Sequence, residues 1–235
     1  MIVKSDFELE FDTQKYISHH GESFKRLLEN TSIREQFESV LMEAKGVCQP
    51  IAGYDVFPIT KFMHDSIQLA DGTRIGGGPV VSVMAGAQEL IVGVCTLGSN
   101  VDAQIKSYSA CKDRLKMMIL DELATWGVDQ VRMGLVEYLA QKYGSDGWHT
   151  STCLSPGESE WSVKEQAKIF KLLDTQQIGV SLSQGLVMYP LKSLSLILGA
   201  GPYPMGGEGL SSCDFCSLKE RCRYSHMRIE AHSHP

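Results

Sequence analysis

No stretch of this 235-residue chain holds the roughly 20 consecutive apolar residues that a membrane-crossing helix needs; the clearest runs, ELIVGVCTLG and SLSLILGAG, stop far short. The opening segment MIVKSDFELEFD has no basic flank ahead of an apolar core, so no secretory signal is read there. Basic charge is also short: 22 Lys and Arg stand against 28 Asp and Glu, for a formal charge of −6. Nucleic acid and anionic membranes are recognised by clustered cations, so neither is an expected partner. The cysteines number seven, an odd count that does not suggest a disulfide framework. The expected setting is the reducing cytoplasm, and the chain is long enough to bury a core without covalent staples.

What is present reads as mixed α and β. FELEFD (7–12) alternates like a strand, and SIREQFESVLMEA (32–44) places Phe37, Val40 and Leu41 at helical spacing. YDVFPI (54–59) reads as a strand, and SIQLADGTRI (66–75) as a hairpin turning at Asp71 and Gly72. Gly76, Gly77 and Gly78 lack a following Lys-Ser/Thr pair, so a loop before a short helix starting near Pro79 is preferred to a phosphate cradle. After the strand candidate ELIVGVCTLG, Ser99 and Asp102 suggest a helix cap. A long helical region follows, with an apolar stripe through Ala124, Val128, Val131, Leu135 and Leu139 and a possible division at Gly127. Ser162 and Glu165 suggest a second cap ahead of a helix marked by Ile169, Phe170 and Leu173. IGVSLSQGLVMYP and LKSLSLILG then read as strands either side of Pro190. The glycine-rich GAGPYPMGGEG suggests a link between a domain at 1–205 and a cysteine-rich segment at 206–235.

That last segment has the spacing C-x2-C-x5-C-x3-H through Cys213, Cys216, Cys222 and His226. A C-x2-C turn aims two thiolates at one ion, and Cys222 with His226 would complete a tetrahedral zinc set. An iron–sulfur cluster, with His226 or the distant Cys153 as fourth ligand, fits the same spacing. The paired histidines His19/His20 and His232/His234 are expected to be solvated surface residues.

Four stretches taken together, TLGSNVDAQI, VEYLAQKY, LSPGESEW and IGVSLSQGLVMYPLKSLSLILG, resemble the activation domain of cobalamin-dependent methionine synthase, in its order and roughly its spacing, from about Cys95 to Gly199. The resemblance implies an α+β fold with a curved mixed or antiparallel sheet and flanking helices. It implies a partner, a corrinoid-binding methyltransferase carrying cobalamin, and a rescue of cob(II)alamin by one-electron reduction coupled to methylation from S-adenosylmethionine. It marks Cys153, Ser155, Pro156, Gly157 and Glu158, with Glu137 and Tyr189, as cofactor-binding candidates, and names no catalytic residue.

The chain departs from that family where its loop reads Arg-Pro-Ala-Pro-Gly-Tyr; the six positions here are Cys153, Leu154, Ser155, Pro156, Gly157 and Glu158. An acidic residue of the family's long helix falls at Met133, and another matches Glu137. The missing arginine removes a charge-assisted contact to the ligand carboxylate, of about 1.5–3 kcal/mol. The expectation is therefore an accessory protein that docks the corrinoid protein and accepts electrons from a donor protein, with an iron–sulfur cluster favoured over zinc as the relay. An active S-adenosylmethionine-dependent methyl donor module and a non-catalytic interaction module are the alternatives.

Overall fold

The structure, a computed structural model, describes residues 1–158, 160–206, 210–217 and 219–221. In chain order the elements are β1 (Ile2–Lys4), α1 (Thr13–Leu27), α2 (Thr31–Val47), β2 (Ile51–Phe62), β3 (Ser66–Leu69), β4 (Arg74–Gly76), α3 (Val80–Val83), β5 (Glu89–Thr96), α4 (Ser99–Ala110), α5 (Arg114–Ser145), β6 (His149–Thr150), α6 (Gln166–Leu172), β7 (Ser181–Leu182), β8 (Met188–Tyr189) and β9 (Ser193–Gly201), with short 3-10 turns between and after them. The main sheet runs β4-β3-β2-β5-β9-β6, with β1 added against β2, and every pairing is antiparallel. The fold is α+β, a curled half-barrel sheet with flanking helices.

The unbroken apolar run of β5 follows from its place at the middle of the sheet, covered on both faces. Successive strand side chains point to opposite faces. Ile91 and Cys95 therefore join one core under α1, α2, α4 and α5, while Leu90, Val92 and Val94 join a second with β3, β4, α3, α6 and Trp161. Each such buried aliphatic side chain contributes about 1.5–3 kcal/mol relative to exposure. Among the described residues no helix is long and apolar enough to cross a membrane.

Several local expectations are corrected. FELEFD is not a strand; its alternation survives in an arm between β1 and α1 whose Phe7, Leu9 and Phe11 pack on the first core. Asp12 ends that arm by accepting from the Gln14 and Lys15 amides, which starts the unanticipated α1. Gly127 does not divide the long helix: α5 continues for 32 residues, and a Cβ at Gly127 would come within 2.9 Å of the Phe11 ring. The glycine serves close packing, and the helical region breaks instead before Asp113, the cap of α5. Gly98, not Ser99, occupies the cap of α4, and Asp102 accepts from the Leu191 amide at 2.8 Å. IGVSLSQGLVMYP is a small hairpin, β7 with β8, rather than one strand. His20 is half-buried and stacked on Tyr16, and His19 sits 5.5 Å from the Trp126 ring, so neither is a freely solvated side chain. His232 and His234 lie outside the described residues.

Candidate functional site

The LSPGESEW stretch leaves the sheet edge and turns back on itself. β6 pairs with β9, and the Ser151 amide and the Leu154–Ile197 bridge keep the chain on β9 as far as Leu154. The Glu158 amide then donates to the Ser155 carbonyl at 3.1 Å, closing a four-residue turn with Pro156 and Gly157 at its centre. Pro fixes the first central φ near its preferred value, and Gly157 supplies the φ of +94° that the second requires. The Gly157 amide donates to the Trp161 carbonyl at 2.8 Å, so the loop is closed a second time.

Trp161 anchors this loop. Its ring is 2 % exposed in the second core, and its Nε1 donates to the Gly76 carbonyl at 3.0 Å. The Gly76 amide donates to Glu165 Oε2 at 3.2 Å. A Cβ at Gly78 would stand 2.9 Å from the Trp161 nitrogen. The glycines thus form the seat for the loop: Gly76 ends β4, and Gly77 and Gly78 make the connection to α3. Ser162 does cap the 3-10 turn before α6, accepting from Lys164, while Glu165 is taken by Gly76 and Lys168.

The chemistry gathers where this loop meets α5. Arg132 is 3 % exposed; one branch is held by Asp129 and the other lies 3.4 Å from Glu158 Oε1. Cys153 alternates with Leu154 and faces the opposite core, the one beneath α5. Buried Cys95 lies within electrostatic reach of Cys153, Arg132 and Asp129; desolvation dominates and pushes its thiol well up. Ser155 is 6 % exposed, and its hydroxyl finds no hydrogen-bond partner among the described residues. An unsatisfied buried hydroxyl costs about 1–3 kcal/mol, so this orphan marks a place that a ligand's polar atom would satisfy.

Five of the seven cofactor-binding candidates, Cys153, Ser155, Pro156, Gly157 and Glu158, fall within the six positions of this strand end and loop. The other two lie elsewhere. Glu137 is exposed and lines a hollow of about 360 Å³ with Lys4, Asp6, Phe7 and Tyr138. It stands five residues beyond Arg132, about 140° round the helix, which turns it away from the loop. Tyr189 is half-exposed over a hollow of about 460 Å³ at the start of α4, with Ser99, Asn100, Asp102 and Lys106.

Arg132 and Asp129 are the residues that the sequence reading missed. The signal was present: Arg132 stands four residues after Val128 and three before Leu135, inside the apolar stripe. An arginine on a buried face requires carboxylate partners.

The cysteine-rich segment runs beside the same loop. Cys213 is buried and Cys216 half-buried, on either side of one tight turn. Cys222 and His226 lie outside the described residues. Among the described residues no group of three Cys, His, Asp or Glu comes together to hold a metal.

A curled antiparallel half-barrel sheet with flanking helices gives the fold class, α+β. The chain is similar to a solved structure entitled "Crystal Structure of the MetH Reactivation Domain bound to AdoHcy", with a TM-score of 0.57 and 15 % identity, over 92 % of this chain and 88 % of that one. At that identity the likeness is one of fold. No family model and no curated protein matches the chain at a significant level.

Proposed function

We propose that this protein is an accessory factor in the reductive activation of a corrinoid-dependent methyltransferase, docking the corrinoid protein and supporting the return of cob(II)alamin to a methyl-accepting state. The observation that carries this reading is the shared fold: 92 % of the chain superposes on a reactivation domain whose title records bound AdoHcy. The Pro156–Gly157 turn, exposed at Gly157, and the buried, unpartnered Ser155 hydroxyl lie in one loop at the sheet edge, the kind of bend a ligand's polar edge could approach.

The residues fit S-adenosylmethionine only in part. The Ser155 hydroxyl and the exposed Gly157 backbone suit an uncharged polar edge of the ligand. Its carboxylate has no equivalent partner, because the arginine at the loop, Arg132, already faces both Asp129 and Glu158. This pairing favours the accessory role over a methyl donor module. S-adenosylmethionine supplies a transferable methyl group when bound; the chain's own contribution is to position the loop and exclude water. The cobalt chemistry belongs to the corrinoid carried by the partner.

The test is twofold. Adding the purified protein to a corrinoid methyltransferase poised as cob(II)alamin, with a low-potential reductant, should speed recovery of the active form. No change in that rate would leave only a non-catalytic interaction module with this fold. Calorimetry with S-adenosylmethionine separates the remaining two readings: micromolar binding supports the methyl donor, and no binding at millimolar ligand supports the accessory factor.

A further inference from the structure

Two thiols share one tight turn beside the candidate loop. Ser211 donates from its amide and hydroxyl to Asp214 Oδ2 at 2.7 and 2.9 Å, a capping box that opens the 3-10 turn Ser212–Phe215. The Cys216 amide closes the turn on the Cys213 carbonyl at 3.1 Å, and the Lys219 amide bonds to the Cys216 carbonyl. Residues three apart lie over one another in 3-10 geometry. A turn closed in this way holds its end Cα atoms within about 7 Å, and a disulfide spans up to about 6.8 Å. Cys213 and Cys216 are both thiols, the first 6 % exposed and the second half-buried. This asymmetry lets a reagent meet Cys216 first and leaves the shielded Cys213 to resolve the adduct. The Lys219 ammonium pairs with Asp214 at 2.7 Å and lies within electrostatic reach of Cys213, beside the thiol that resolves.

The turn is also fastened to the loop of the candidate site. Thr152 Oγ1 donates to the Leu210 carbonyl at 2.6 Å, ahead of the Pro156–Gly157 bend. Ser217, the residue after Cys216, donates to Glu160 beyond that bend. Phe215, between the two cysteines, packs on the same apolar cluster as Leu154 and Trp161. A restraint on the span from Cys213 to Cys216 therefore acts on residues that hold both ends of the loop.

We infer that Cys213 and Cys216 form a reversible dithiol–disulfide pair whose oxidation tightens the loop from Thr152 to Trp161. The oxidant is a low-molecular-weight disulfide. The Cys216 thiolate attacks one of its sulfurs, forming a mixed disulfide and releasing one small thiolate. The Cys213 thiolate then attacks the Cys216 sulfur, closing the protein disulfide and releasing the second small thiolate. The protein dithiol is oxidised, the small disulfide is reduced to two thiols, and the two cysteine protons pass to the released sulfurs. Excess small thiol runs the sequence backwards, as for transient disulfides in reducing compartments. The bridge removes open conformations of the turn, and the contacts at Thr152 and Glu160 pass that restraint to the loop. This inference stands independently of the corrinoid reading, since it makes no use of the shared fold.

The experiment equilibrates the full chain in graded ratios of reduced to oxidised glutathione, blocks the remaining thiols by alkylation and digests with trypsin. The tryptic peptide 193–219 carries Cys213 and Cys216 and no other cysteine. As the buffer turns oxidising, this peptide should lose two hydrogen atoms and escape alkylation, and excess reduced glutathione should restore both thiols. Hydrogen exchange at the Cys216, Gly157 and Trp161 amides, each of them hydrogen-bonded, should slow about tenfold in the oxidised state with β5 unchanged. Cys213→Ser should stop at a glutathione adduct on Cys216, and Cys216→Ser should form no bridge, both with native circular dichroism. Thr152→Val should still form the disulfide but weaken the response at Gly157. Two alkylated thiols in the peptide at every ratio, a bridge to Cys222 in place of the pair, or the disulfide with unchanged exchange at Gly157 and Trp161 would each overturn the inference.

Discussion

Arg132 of the long helix reaches across to Glu158 of the loop, 3.4 Å from guanidinium nitrogen to carboxylate oxygen, while Asp129 one turn back holds its other branch. The arginine is almost wholly buried, whereas the Asp129 and Glu158 side chains are 19 % and 31 % exposed. Arg132→Met should destabilise the fold by about 3 kcal/mol in urea unfolding, because it strands Asp129 without its cation. Glu158→Gln should cost about 1 kcal/mol or less, since Asp129 stays paired and Glu158 is partly solvated. The same Glu158→Gln change leaves Arg132 with one carboxylate fewer, so any weak calorimetric signal with S-adenosylmethionine should strengthen.

The glycines divide into those that form the bend and those that seat it. At Gly157 a Cβ meets only Val163 at 3.9 Å, so Gly157→Ala suffers the positive φ alone, about 1–3 kcal/mol of local strain. At Gly76 a Cβ would lie 2.2 Å from the Asp65 carbonyl oxygen. Gly76→Ala should therefore lower the melting temperature more than Gly157→Ala, and should shift the fluorescence of Trp161, whose indole bonds to Gly76.

Two buried serines in the same segment should answer oppositely. Ser151 Oγ donates to the Thr152 carbonyl at 2.9 Å and accepts from the Gly199 amide at 2.9 Å. Ser151→Ala strands that amide and should cost about 1–3 kcal/mol in denaturant unfolding. Ser155→Ala removes an unpartnered hydroxyl and should be neutral or stabilising in the free protein. Loss of stability on Ser155→Ala would show that the hydroxyl is already satisfied and remove one support for the ligand loop.

Acid should release the cysteine turn before the core. Hydrogen bonds from Lys219 and from Ser211 hold the Asp214 carboxyl down to about 2, against an ordinary 3.8. A depressed acid adds stability that is present above its unfolded value, so the contribution is lost as the pH falls from 3.8 toward about 2. Amide exchange in residues 210–217 should rise across that window while β5 stays protected, and Asp214→Asn should abolish the step.

Thiol labelling should follow burial. Desolvation pushes Cys48 up to about 12 and Cys95 higher still, so both are neutral and shielded at pH 8, whereas Cys111 is exposed. Mass spectrometry after brief alkylation should find Cys111 modified and Cys48 and Cys95 intact in the native protein.

The strands β2, β5 and β9 and the hairpin at Asp71 and Gly72 were legible because each rests on near neighbours: alternation or an apolar run, and turn chemistry. Gly127 was misread for the converse reason. Its absent side chain matters only because the ring of Phe11, more than a hundred residues earlier, fills the space. For Glu137 the family likeness gives the helix but not the side of it that the loop approaches.

By itself the sequence determined most of the element types from 32 onward, the net negative charge and the spacing of the last three cysteines, all properties of local covalent order and side-chain chemistry. Only the tertiary structure decided that Arg132 meets Glu158, that Gly76 and Gly78 seat Trp161, and that the cysteine turn is moored to Thr152 and Glu160. Those pairings join positions between 26 and 85 residues apart. Which of them form depends on how the whole sheet curls around its two cores, and no local rule carries that information.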